Sequence, residues 1–334
     1  MLDKQGDVHI SDKSWENKNN SFRNPLEESI MYIYEKTKKI GVLSFLFFCW
    51  FGLGMAPLHV FAADPLYQKI EAVKKSYEQP AENAKIDKVW KKIPGKSGRT
   101  VNVKKSYQAM KKQAKFQENL LVFDTIKPEI GLNDLPPELI YRGNPNKQMV
   151  ALSINVAWGE EYIPQMLDIL DQRGVKATFY IEGRFAKANP KVVQQIAKSG
   201  HEIGNHSYTH ADFASISEEQ AKMELKKTNA ILTRLTKQRI QLFAPPSGAF
   251  GAQTAAIASE MGMYTVLWTM DTIDWQNPSP STVMQRILKK MHPGGIILMH
   301  PTKASTYALD LMIETLQGKG YTVGTVGSLL EIYS

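Results

Sequence analysis

Residues 175–210 read VKATFYIEGRFAKANPKVVQQIAKSGHEIGNHSYTH. Ala177–Ile181 is a short apolar run rich in strand formers, and a helical pattern follows it. The same alternation continues on both sides. Met149–Val156, Gln241–Phe243, Tyr264–Trp268, Gly295–Met299 and Thr322–Val323 read as strands, with helical runs between them. Ser217-Glu218-Glu219-Gln220 is a capping box that opens a helix through about Thr236. Strands alternating with helices predict a parallel sheet, open or closed into a barrel. Either architecture puts chemistry on the loops after the C-terminal strand ends. Asn155, the histidines after Ile203, Pro245, Asp271 and His300 fall at such places.

His206 and His210 close the quoted stretch. Four residues apart on a helical turn, their imidazoles point the same way. With a third ligand they would make an open metal site that polarises a carbonyl and acidifies water. By itself this spacing is a weak signal, and a surface pair is the ordinary explanation.

What surrounds the pair narrows the choice. NHSYTH and its lead-in resemble the H-S/T-x-x-H motif of the polysaccharide deacetylase family, the NodB homology domain of carbohydrate esterase family four. Trp268…Asp271…Asp274-Trp275 and Gly294-Gly295-Ile296-Ile297-Leu298-Met299-His300 match further segments in the family's order. The resemblance covers about residues 145–332 and is nearest to an exported subgroup of spore-forming Gram-positive bacteria. It implies a distorted (β/α) barrel of about seven parallel strands. It also implies a divalent metal, with zinc expected, and removal of N-acetyl groups from polymers such as peptidoglycan or chitin. It assigns His206 and His210 to the metal and His300 to the general acid, oriented by Asp274. Trp275 and Pro246 go to the substrate pocket.

Two motifs depart from the pattern. The family's first motif is T-F-D-D-G, with a base Asp followed by a metal-ligand Asp. Here Ser153-Ile154-Asn155-Val156-Ala157 stands in its place, followed by Trp158-Gly159. Asn155 occupies the base position, and an amide takes no proton near pH 7. Val156 offers no lone pair to a metal. The third motif, R-P-P-Y/F-G, reads Ala244-Pro245-Pro246-Ser247-Gly248. That Arg supports the base carboxylate, so losing both together removes an ion pair without stranding a charge.

Three readings follow. One is a hydrolase with altered machinery, its metal completed by Glu160, Glu161 or Asp212. Another is an inactive barrel that binds cell-wall glycan or a protein partner. A third is a scaffold whose basic N-terminal segment does the work. A carboxylate beside the two histidines would favour the first, and apolar filling by Val156 the second.

The rest of the chain bears on location. Residues 40–62 are apolar and follow Lys36, Lys38 and Lys39, and Val60-Phe61-Ala62 ends the run like a cleavage site. Residues 31–62 are therefore expected to be a signal peptide or a signal anchor, leaving the body outside the cytoplasm. Residues 1–30 are polar and aperiodic, read as disordered, or as untranslated if synthesis starts at Met31. The single cysteine, Cys49, excludes an intrachain disulfide.

Residues 63–147 read as a small basic α/β or helical module decorating the barrel, or as a spacer, with amphipathic helices at 65–78 and 104–115, a short strand at 120–123, and a stiff linker at 136–145. The chain of 334 residues has a net charge of +8. That suggests an anionic wall polymer or membrane surface as a second partner beside peptidoglycan. With no zinc-finger spacing and no aromatic RNA-binding motif, nucleic acid is not expected. The main domain is expected over 148–334.

Overall fold

The computed structural model describes residues 64–333. The expectations for residues 1–62, disorder, start site and signal alike, lie outside them. Among the described residues no helix is long and apolar enough to cross a membrane.

Met149–Val156 is buried along its whole length, as expected of a strand covered on both faces. Its alternation sorts two cores. Val150, Leu152, Ile154 and Val156 pack into a large cluster with helix residues such as Met166, Leu170, Leu309 and Ile313. Met149 and Ala151 join an inner cluster with Tyr180, Leu242 and Ile296. Ser153 and Asn155 continue the second set as buried polar groups.

In chain order the barrel strands are β1 (Met149–Val156), β2 (Thr178–Ile181), β3 (Glu202–Asn205), β4 (Leu242–Phe243), β5 (Tyr264–Thr265), β6 (Met270–Asp271), β7 (Gly295–Met299) and β8 (Thr322–Gly324). The sheet runs β6-β7-β1-β2-β3-β4-β5, and β8 pairs with the first residues of β1. Every pairing is parallel. Seven strands form a curled half-barrel with β8 added beside β1, consistent with the distorted (β/α) barrel that the resemblance implies.

Its helices are α1 (Ile163–Gln172), α2 (Gly183–Ala188), α3 (Pro190–Lys198), α4 (Glu218–Thr236), α5 (Thr254–Glu260), α6 (Pro280–Lys290), α7 (Lys303–Gly318) and α8 (Val326–Leu330). The reciprocal cap at α4 is present. Ser217 N donates to Gln220 Oε1 at 3.0 Å and Gln220 N to Ser217 Oγ at 3.2 Å.

The strand β3 was not expected, because Glu202, Gly204 and Asn205 carry poor strand propensity. Burial between β2 and β4 overrides it.

Residues 64–147 are not a free spacer. Helices Pro65–Tyr77 and Val103–Met110 pack through Leu66, Ile70, Tyr107 and Met110. Phe123–Ile126 pairs antiparallel with Gly98–Val101, so the expected strand falls later than 120–123. The stretch taken for a linker lies against the barrel. Ile140 is fully buried and bridges Val266 beyond β5. Asn144 is buried and donates to Pro94 O and Glu82 Oε2. Lys147 Nζ meets Glu331 Oε1 at 2.8 Å, and Ser97 donates to the same carboxylate through both N and Oγ. Apolar residues between the prolines and glycines dock the segment, where turn residues alone suggested a tether.

Candidate functional site

A cavity of about 480 Å³ opens at the C-terminal ends of the strands, lined by Asn155, Trp158, His206, His210, Ser247, Trp268, Asp271, Trp275, Leu298 and His300. A separate cavity of about 310 Å³ lies near Leu132, Tyr264 and Leu330, away from the histidines, and its Glu331 is already bonded to Lys147 and Ser97.

His206 and His210 do meet, with ring centroids 5.1 Å apart. They do so without a helix. His206 follows β3, and the chain then turns through left-handed φ at Ser207 (61°) and His210 (58°). Glu224 of α4 holds this turn, accepting from Tyr208 N and Thr209 N at 2.7 Å each and from Thr209 Oγ1 at 3.0 Å. The spacing in sequence gave no sign of Glu224, whose partners are brought to it only by the barrel.

His206 Nδ1 lies 2.8 Å from Ala244 O. A carbonyl only accepts, so Nδ1 carries the proton and Nε2 keeps its lone pair. Burial, and then neighbouring His210, push the His206 imidazole down to about 3. Burial likewise lowers His210. Both rings are therefore neutral donors at neutral pH.

What they lack is a third partner. Among the described residues no group of three or more His, Cys, Asp or Glu side chains could hold a metal ion. Val156 is fully buried in the apolar core and does not line the cavity. Glu160, Glu161 and Asp212, the carboxylates considered as substitutes, do not line it either. Asp271 does line it, but Asp271 Oδ1 accepts from Ile273 N at 2.8 Å and forms no metal group with the histidines. The donor set does not fit a resident three-ligand metal centre.

Asn155 is buried at the inner end of β1, and its Oδ1 has no hydrogen-bond partner among the described residues. Ala244 is buried, its N donating to Asn205 O and its O orienting His206. Position 244 therefore supplies no guanidinium to the site.

The other half of the site is complete. Asp274 is fully buried. It accepts from His300 Nδ1 at 2.8 Å, from His300 N at 2.7 Å and from the Ser305 hydroxyl. Burial pushes its carboxyl up, but the bonds from His300 and Ser305 outweigh that and hold it below the usual carboxylate range. His300 is thereby locked with Nε2 toward the cavity.

Trp275 lines the cavity and is 56% exposed. Pro246 is buried and does not line it; Ser247, turned outward at φ 55°, takes that place. Trp268 serves both as core and as wall, its ring against Gly248, where an added Cβ would come within 2.7 Å. Trp158 was not singled out by sequence, although an aromatic just past a strand end was a usable signal. His201 and His292 stay outside the cavity: His201 Nδ1 accepts from Ala177 N at 3.1 Å, and His292 bonds Thr269 and Pro293.

Barrel, paired histidines and a His–Asp couple at the strand ends define a NodB-type domain. The polysaccharide deacetylase family model matches residues 142–266. A Bacillus subtilis protein designated YlxY is 44% identical over 313 residues, 90% of this chain and 98% of the relative. A peptidoglycan-N-acetylglucosamine deacetylase of Bacillus cereus is 35% identical over 196 residues, 57% of this chain and 71% of the relative. Among solved structures, a CE4 family pseudoenzyme from Bacillus anthracis is 47% identical with a TM-score of 0.75, covering 79% of this chain and 94% of that one. A mutant of that pseudoenzyme, described as having restored enzymatic activity, superposes with a TM-score of 0.74. The chain belongs to the polysaccharide deacetylase family. Deacetylases of this family are generally metal-dependent.

Proposed function

We propose that this protein is an exported barrel that binds N-acetylated cell-wall glycan without deacetylating it. The observation that carries the reading is the pair Asn155 and Val156. The base position holds an amide that cannot take a proton from water, and the ligand position is a fully buried apolar side chain. Neither residue supplies the base or the third metal ligand that the family's deacetylation uses.

The binding half is retained. Three indoles and the fixed imidazole of His300 face one cavity, which Asn155 also lines. An N-acetylhexosamine offers polar groups to the His300 imidazole, together with apolar ring faces for the indoles. The likeness to peptidoglycan deacetylases supports peptidoglycan as the polymer. The neighbour named a pseudoenzyme, and the regained activity of its mutant, support a site one or a few residues from competence.

Export rests on the lysines before the apolar run 40–62. Residues 64–147 carry 17 Lys and Arg against 10 Asp and Glu, a net of +7 out of +8 for the whole chain. That segregation supports a second contact with an anionic wall polymer.

The test compares the full chain with a variant carrying Asn155→Asp, Val156→Asp and Ala244→Arg. Acetate release from N-acetylglucosamine oligomers with zinc present and binding of the same oligomers by calorimetry are both measured. The parent should bind and release no acetate, and the variant should release it. Metal-dependent release by the parent that is lost in His206→Ala would overturn the reading.

A further inference from the structure

Trp158 stands out as an exposed large aromatic that is nevertheless held in one position. It is 44% exposed and lines the cavity. Its ring lies parallel to the His300 imidazole, with centroids 5.3 Å apart and planes 14° apart. One indole face is thus covered by His300, and the exposure falls on the rest of the ring. The following residue fixes this arrangement. Gly159 has φ +81°, and a Cβ there would come within 2.1 Å of Pro301 O. Only glycine lets the loop press onto the segment just after His300, and that contact seats Trp158 over the imidazole.

We propose that Trp158 is the sugar-stacking platform of this cavity, its open indole face taking the apolar face of one pyranose ring of an N-acetylhexosamine polymer while the His300 Nε2 edge bonds a polar group of the same sugar. The inference rests on the glycan-binding reading and names the residue that confers it. A ring already stacked on a hydrogen-bonded imidazole loses little freedom when the ligand arrives. Trp275, exposed on the same cavity, supplies a second platform, so the site accepts more than one sugar unit. With Nδ1 held by Asp274 and one ring face covered by Trp158, His300 acts here as a fixed hydrogen-bonding post.

The experiment titrates the full chain, Trp158→Ala and Trp158→Phe with the tetramer of N-acetylglucosamine by calorimetry. Trp158→Ala should bind about tenfold more weakly, and Trp158→Phe should stay within about threefold of the parent. In the unaltered chain saturated with tetramer, NMR contacts should run from sugar ring protons to the Trp158 indole, a readout that needs no variant to fold. If Trp158→Ala binds as tightly as the parent, or the saturated parent shows no such contacts, the platform is overturned and the glycan reading stands. If the parent does not bind the tetramer at all, both fall together.

Discussion

Substituting Val156 by Asp tests the metal argument most directly. Val156 is fully buried in the core between sheet and helices. Removing it forfeits about 1.5–3 kcal/mol of apolar burial. An ionised carboxylate put there with no cation costs several kcal/mol more. With relaxation, the variant in chelator should lose about 4 kcal/mol of stability. At roughly 2–4 °C per kcal/mol for a domain of this size, Tm should drop by about 8–16 °C. Zinc changes the sum for the variant, because the introduced carboxylate would complete a three-ligand set with His206 and His210. At about 1,000 times Kd a ligand bound only by the folded state adds about 4 kcal/mol. Zinc should therefore restore most of the variant's Tm, while moving the parent by no more than about 2 °C. The assay is a thermal melt of both proteins in chelator and across a zinc titration, followed by circular dichroism. An equal zinc response in the parent would refute the reasoning, because a third ligand must then be available to the existing histidines. So would a variant that zinc leaves unchanged, because position 156 would then not reach them.

Other outcomes follow from the same structure. His201 is buried and pushed down to about 4, chiefly by burial, against about 6.5 in the unfolded chain. The unfolded state therefore binds the extra proton first. Stability should fall as pH drops below about 6.5, stop falling from this cause below about 4, and lose up to about 3 kcal/mol on the way. The drop in urea midpoint from pH 7 to pH 5 should be smaller in His201→Asn than in the parent, with the share of buried His206 remaining. Asp274→Asn should cost about 2–3 kcal/mol by urea denaturation, because three donors lose a charged acceptor, and should broaden the His300 ring signals in NMR. Replacing Lys74, Lys75, Lys104 and Lys112 by Gln should weaken retention on lipoteichoic acid and flatten its salt dependence, with N-acetylglucosamine tetramer binding unchanged. Unchanged retention would remove the case for an anionic partner.

The sequence by itself determined a parallel α/β sheet, and its resemblance to the family implied closure toward a barrel. Apolar runs at 149–156, 177–181 and 295–299, separated by helical periods and a capping box at Ser217, leave little besides a parallel sheet, because each signal is local and periodic. It also determined what the site lacks. Amide for acid at 155, valine at 156 and alanine at 244 are chemical identities that folding cannot change. Only the tertiary structure decided whether other groups make up the loss. Whether Glu160, Asp212 or Asp271 reaches the histidines depends on loop paths set by contacts distant in sequence, such as Glu224 on the turn 207–210. The docking of residues 136–145 on the barrel was hidden for the same reason, since Ile140 finds Val266 across 126 positions. The stacking of Trp158 on His300 likewise joins two strand ends, and the glycine that permits it is explained only by Pro301, a neighbour that the linear order does not reveal.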